Sequence, residues 1–348
     1  MTAKRYLQIF FTILLLFILF HFTIWHLYTK QLFQNNDNTH VGDLGRMSYH
    51  NDSLIFKENR VNLPKKHIDF TKIEKVDVIT IGDSFSNGGA GGLNPFYQDY
   101  IASFYNFKVL NLEPSKEGWV ESILRLNSSG ILDKLHPKVI ILESIERGCV
   151  DRLSKKIDWN LTADEKTVIQ DMKKRYPTQK EKTSFINNLN YNALIYNLLY
   201  KFNDHAYSSK VYIAPISKQL FSSQNPKELL FYFEDIKNLK KSNQKSIALL
   251  NENLNHLQEI LKKKNIHLYF MPTPDKYDIY SKYIINNQYE QSHFFELLRG
   301  LKKEYTFIDT KAIIKQLIDD NEKDVYYPDD THWSYKASAK IFEETKFN

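Results

Sequence analysis

The chain has a single cysteine, Cys149, so an internal disulfide is excluded, and no Cys/His group has the spacing of a zinc site. Cys149 follows an apolar run that reads as a buried strand, which makes it a packed thiol rather than a nucleophile. No GxxxxGK[ST] loop is present, which removes the simplest phosphate-binding reading. Internal repeats and low-complexity segments are also missing. Positive charge is not concentrated: the net charge is +6 and basic residues are interspersed with acids, where a nucleic-acid protein would gather them on one stripe. Neither a nucleic-acid partner nor a metal or other cofactor is expected.

One further lack is local. Residues 6–28 contain no Asp, Glu, Lys or Arg. About 20 apolar residues cross the hydrocarbon core of a bilayer as a helix. Lys4 and Arg5 precede the run, so the positive-inside rule puts the N-terminus in the cytoplasm and everything after Lys30 outside. A cleaved signal peptide is the competing reading, but it needs a small-residue cleavage site, and the chain reads Trp25-His26-Leu27-Tyr28-Thr29-Lys30 there. Residues 1–30 are therefore expected to be an uncleaved single-pass anchor in the cytoplasmic (inner) membrane. The rest would lie in the periplasm or otherwise outside.

What is present begins with a core. The 348 residues are 42% hydrophobic and 14% aromatic, enough for one large domain or two modest ones. Residues 31–73 are polar, and Asn35-Asn36-Asp37-Asn38 suggests a tether. From residue 74 on, apolar runs at 76–81, 108–112 and 138–142 alternate with helical patterns starting at Asn94-Pro95 and Trp119. This rhythm predicts an α/β fold, a parallel sheet flanked by helices, over residues 74–348. Residues 151–244 read as a helical insertion, or alternatively as long α/β connections, with Val211-Tyr212-Ile213 as a strand-like run. An amphipathic helix is expected over 246–264, strands over 266–271 and 305–308, and a last helix from near Ser334.

Two short motifs carry chemistry. Gly82-Asp83-Ser84-Phe85-Ser86 directly follows the first strand, and Asp329-Asp330-Thr331-His332-Trp333 lies close to the C-terminus. A serine hydroxyl is protonated at neutral pH and nucleophilic only when an imidazole takes its proton and a carboxylate holds that imidazole. Gly-Asp-Ser should arise by chance in roughly one chain in ten of this length, so alone it decides little. Its place at the carboxyl end of a strand, where open α/β sheets bind ligands, strengthens it. The following Gly88-Gly89-Ala90-Gly91-Gly92 either lets backbone approach a sugar closely or is a plain connector.

These motifs resemble the SGNH (GDSL-like) hydrolase superfamily, with Gly82-Asp83-Ser84 as nucleophile block and Asp330-Thr331-His332-Trp333 as base block. The wording of the base block looks most like the membrane-anchored branch that includes the alginate O-acetyltransferases. The segment at 271–280, Met271-Pro272-Thr273-Pro274-Asp275-Lys276-Tyr277-Asp278-Ile279-Tyr280, is similar to one in that branch. The resemblance covers about residues 74–150 and 264–346, and implies the three-layer, flavodoxin-like form of the α/β fold. It assigns Ser84 as nucleophile, His332 as base, and Asp330 as the carboxylate, with Asp329 the alternative that an Asp-x-x-His reading would choose. It also implies oxyanion donors: the Ser84 amide, Gly118 from the loop after the second strand, and Arg147.

Two departures stand out. The alginate branch has its histidine block before the serine, whereas here it follows. The usual Gly-x-Asn-Asp block is replaced by Glu143-Ser144-Ile145-Glu146-Arg147, and the acetyltransferase branch likewise tends to carry an arginine there. The function implied is an O-acyltransferase, acetyl being the expected group, that modifies a cell-envelope polysaccharide through an acyl-serine. A membrane-bound O-acyltransferase acting as acyl exporter is the implied partner. Alternatives are a carbohydrate esterase or deacetylase on the same glycans, a protein of the teichoic-acid D-alanylation type, and a non-catalytic glycan-binding or assembly subunit on the same scaffold.

Overall fold

A computed structural model describes residues 2–33, 41–58, 60–173 and 184–347; the Asn35-Asn36-Asp37-Asn38 motif lies outside the described residues. In chain order the strands are β1 (Ile68–Asp69), β2 (Val78–Ile81), β3 (Val109–Leu112), β4 (Val139–Ile145), β5 (Val211–Pro215), β6 (Glu228–Tyr232), β7 (His267–Thr273) and β8 (Thr306–Phe307). Six of them form one sheet in the order β1-β3-β2-β4-β7-β8, with every pairing parallel. All residues of β2, β3 and β4 are buried. That explains why their sequences read as continuous apolar runs rather than alternating ones.

Alternate side chains feed two separate cores. Val78, Ile141, Tyr269 and Met271 pack on one face with the helices Tyr97–Tyr105, Thr310–Asp319 and Tyr335–Glu344. Ile79, Ile81, Leu142 and Phe270 pack on the other with Trp119–Ser128, Glu146–Leu153 and Gln244–Lys262. The last of these helices starts at a capping box between Asn243 and Ser246. It buries Ile247, Leu250, Leu254, Leu257 and Leu261 completely. Each such side chain contributes about 1.5–3 kcal/mol relative to exposure. The fold is therefore the three-layer parallel sheet with flanking helices. From β2 the chain goes to β3 on one side, while β4 lies on the other, so the carboxyl end of β2 is the switch point where ligands bind.

Three expectations need correction. β4 runs on through Glu143 and Ser144 to Ile145 because the two polar side chains, though buried, find partners in Asp83, Ser86, Thr273 and Arg152. The stretch 151–244 holds more strand than the helical reading gave it: after the helices Glu165–Met172 and Leu189–Leu199, the run Val211-Tyr212-Ile213 lies in β5, which pairs with β6 as an antiparallel hairpin. The lead-in before residue 74 packs, in its described residues 41–58 and 60–73, onto the domain rather than hanging free of it. Its helix Asp43–Ser48 buries Leu44, its Lys57 has no exposed surface, and β1 extends the sheet. At the N-terminus, Ala3–Ile24 continues through a π-helical turn, Trp25–Thr29, into Lys30–Phe33. This helix is long and apolar enough to cross a membrane.

Candidate active site

Ser84 stands three residues beyond β2, exposed at the carboxyl edge of the sheet. The turn that carries it is held from below. Gly82 leaves no room for a side chain, since a Cβ would lie 1.9 Å from Ser86 Oγ and 2.3 Å from Glu143 Oε2. Glu143 Oε2 accepts from the Asp83 N–H and from Ser86 Oγ, both at 2.9 Å. Burial, then the neighbouring Asp83, raises the Glu143 carboxyl well above the ordinary range. Asn111 Nδ2 and Gln98 Nε2 each donate to the Ser86 carbonyl at 2.9 Å. Asp83 in turn accepts from the Ile145 N–H at 2.9 Å and from Arg152. Burial would raise Asp83, but Arg152 and the Ile145 and Phe85 amides hold it below the usual carboxylate range.

The structure brings Ser84, His332 and Asp330 into one line. Ser84 Oγ lies 2.8 Å from His332 Nε2, and His332 Nδ1 lies 2.6 Å from Asp330 Oδ1. The line continues to a residue that sequence reasoning missed: Lys57 Nζ donates to Asp330 Oδ2 at 2.6 Å and to the Ala90 carbonyl at 2.8 Å. Burial opposes each charge, yet mutual attraction wins. Asp330 is held far below its ordinary range by Lys57 and His332. His332 is raised by Asp330, and Lys57 is raised by Asp330 and Asp329. With Nδ1 protonated toward Asp330, Nε2 is free to accept the Ser84 proton.

Asp329, the alternative carboxylate, turns elsewhere. Its Oδ2 accepts from the Gly42 N–H at 2.7 Å and its carbonyl from the Gly45 N–H at 2.9 Å, and burial raises it. The loop holding both aspartates is gathered by Lys276. Its Nζ donates to the carbonyls of Tyr327, Pro328 and Asp330 at 2.7, 2.9 and 3.1 Å. Burial pushes Lys276 down to about 8 despite the nearby Asp329 and Asp330. Asp43 completes the surround by accepting from the Thr331 N–H at 2.8 Å and from Thr331 Oγ1 at 2.6 Å. Asp43, Asp330 and His332 offer ligand atoms within 4.8 Å of one another, but Asp330 already serves His332 and Lys57, and Asp43 serves Thr331.

The glycine-rich loop lies against this relay. A Cβ on Gly89 would come within 2.5 Å of His332 Nε2, and the Gly89 N–H donates to the Ser84 carbonyl at 2.7 Å. Gly89 is thus a close-approach position for the imidazole, and Ala90 carries the carbonyl that Lys57 binds. Gly118 is not brought to the site. Its N–H is used by the Ser115 carbonyl at 3.2 Å, and its Cβ direction faces Glu121 and Lys155. Arg147 does face the site, but its Nη1 donates to Asp275 and, at 3.2 Å, to Asp235. The Ser84 N–H has no acceptor among the described residues. A cleft of about 590 Å³ opens over Ser84, lined by Asp43, Met47, Arg147, Gly148, Asp151, Arg152, Tyr232, Glu234, Asn238 and Thr331. The Arg147 guanidinium lies over the Tyr232 ring, 5.3 Å from its centroid, and the lining offers mainly hydrogen-bonding groups, suited to a hydroxyl-rich ligand.

Lys57→Met is expected to lower the melting temperature, since removing one partner of a buried ion pair costs about 3–5 kcal/mol. It should also reduce kcat about tenfold or more, the scale of one charge-assisted hydrogen bond. Adding Asp330→Asn should recover much of the stability and none of the rate. Recovery of both would reduce Lys57 to a packing residue.

Residues 227–343, about a third of the chain, match the family model described as SGNH hydrolase-like domain, acetyltransferase AlgX. The match takes in β6, Lys276, Asp330 and His332, while Ser84 and Arg147 fall outside it. No curated protein and no solved structure matches the chain. The chain thus resembles the SGNH hydrolase superfamily and, within it, the AlgX-like branch.

Proposed function

We propose that this SGNH-like chain is a serine-dependent O-acyltransferase, anchored by its N-terminal helix with the domain outside the cytoplasmic membrane, that acetylates a cell-envelope polysaccharide. The observation that carries the reading is the Lys57–Asp330–His332–Ser84 line ending under a polar cleft. Ser84 Oγ attacks the donor's acyl carbonyl carbon while His332 Nε2 takes the hydroxyl proton. The donor's C–O bond then breaks and that proton goes to the leaving oxygen. In the second half, a sugar hydroxyl gives its proton to His332 and attacks the acyl-serine, and Ser84 regains a proton as the ester is released. The oxyanion of each half-reaction is met by the Ser84 N–H and by first-turn amides of the helix Glu146–Leu153, among them Gly148 at the cleft wall. One well-placed donor of this kind is worth about 3–4 kcal/mol.

Packing favours an anchor that stays attached. Leu32 and Thr29 are fully buried and His21 nearly so, so cleavage in this region would strip a packed segment from the domain. A membrane-bound O-acyltransferase supplying acyl groups across the bilayer fits such a tethered acceptor.

The test is mass spectrometry of surface glycans from a strain lacking the protein. Acetyl groups should disappear, return with the parent chain, and stay absent with a Ser84→Ala copy. Glycans that gain acetyl in the deletion strain would make the protein a deacetylase, and unchanged glycans would favour the non-catalytic subunit.

A further inference from the structure

The helix Leu189–Leu199 carries asparagines on its inner side and an uncovered apolar face on its outer side. Its polar residues point into the protein: Asn190 Nδ2 bonds His21 Nδ1 and the Phe185 carbonyl, both at 2.8 Å. Asn192 Nδ2 donates to Tyr49 Oη at 3.0 Å, and Asn197 Nδ2 to the Tyr49 carbonyl at 3.1 Å. Ala193, Leu189 and Tyr196 also pack inward, but a second set of apolar residues points out, with Tyr191, Leu194, Ile195 and Leu198 between 42% and 56% exposed and Phe202, just beyond, at 71%. The spacing of three, four and seven puts them on one face. A helix at a protein–water surface has the opposite arrangement, and an apolar face of this kind marks contact with another apolar phase.

Its neighbour says which phase. Tyr191 stacks on Phe20 of the N-terminal helix at 5.0 Å, and His21 is buried against Asn190. If that helix spans the bilayer from about Tyr6, some 20 residues bring it out near Trp25. Phe20 is then roughly 7 Å below the outer boundary, by the rise of a helix. In-plane amphipathic helices sit at about that depth, 5–10 Å into the headgroup and acyl boundary. The Tyr191–Phe20 contact sets the exposed face of Leu189–Leu199 beside the anchor.

We propose that the helix Leu189–Leu199 is a second membrane contact, lying in the plane of the outer leaflet with Tyr191, Leu194, Ile195, Leu198 and Phe202 among the lipid chains. The inference rests on the N-terminal helix being the anchor of the proposed function. It gives the domain two points of attachment and therefore a fixed tilt. Tyr49 joins this helix to the end of Asp43–Ser48, whose Asp43 and Met47 line the cleft over Ser84. The cleft is thereby held at a set height above the membrane.

The full chain, reconstituted in phosphatidylcholine–phosphatidylglycerol liposomes, tests this by lipid quenching. Single cysteines at Leu15, Leu194 and Lys262 would carry the NBD fluorophore, since Cys149 is fully buried and stays unlabelled in the folded chain. Lipids with a nitroxide near the headgroup should quench Leu194→Cys at least about twofold, and mid-chain nitroxides should quench Leu15→Cys. The Lys262→Cys probe should be unaffected. Quenching at 15 without quenching at 194 overturns the proposal and leaves the anchor standing. A blue-shifted but unquenched probe at 194 also overturns it, because the face is then covered by a second copy of the chain. Absence of quenching at 15 removes the anchor reading, and the proposal with it.

Discussion

Ser84→Ala is expected to lower kcat/KM for p-nitrophenyl acetate by about 10⁴–10⁶, the cost of losing a triad nucleophile. Labelling by a fluorophosphonate should be lost with it. The fold should be untouched, because the Ser84 side chain is exposed and the turn is held by other groups. Glu143 binds the Asp83 N–H, and Asn111 and Gln98 bind the Ser86 carbonyl. An unchanged thermal midpoint therefore accompanies the loss. His332→Ala should lose a comparable factor in rate but also melt earlier. It strips a ring packed 4.5 Å from Phe85 and leaves the Asp330 charge with Lys57 alone. Turnover near the parent level in Ser84→Ala would place the nucleophile elsewhere and remove the acyl-serine from the mechanism.

Ser84 and His332 were legible in the sequence because each sits in a short motif beside an apolar run or a helix start. The sheet was legible for the same reason: strands buried on both faces are written as unbroken apolar stretches. What could not be read were the groups that act from far along the chain. Lys57 lies in a polar stretch with no periodicity, and its meaning comes only from Asp330, 273 residues on. Asp43 is in the same position with respect to Thr331. Glu143 and Ser144 look like the end of a strand because strand patterns are apolar; their burial is tolerated only because Asp83, Ser86, Thr273 and Arg152 satisfy them. Of the hairpin β5-β6 only the run Val211-Tyr212-Ile213 was legible, and the long loop between the strands hid its pairing with β6. Gly118 was assigned by resemblance to a loop whose amide is in fact spent on its own turn.

The two adjacent aspartates part company most sharply under amide substitution. Asp330→Asn is expected to be nearly as inactive as His332→Ala, with a loss near 10⁴. The cause is local. The Lys57 ammonium, 2.6 Å from Oδ2, can accept nothing and claims the amide oxygen. That leaves the amide NH₂ facing His332 Nδ1. The imidazole must then carry its proton on Nε2, where it can no longer accept from Ser84. Residual activity should also need less alkaline conditions: in the parent, Asp330 raises His332 above its ordinary 6.5, so the rate climbs with pH through a value above that. Without the anion the climb should move to lower pH. Asp329→Asn should lose far less than about 10²-fold, because an amide oxygen can still accept from the Gly42 N–H and no histidine tautomer depends on it. Steady-state kinetics of both variants across pH decide the matter. A dead Asp329→Asn beside an active Asp330→Asn would assign the carboxylate role to the other aspartate and contradict the relay from Lys57.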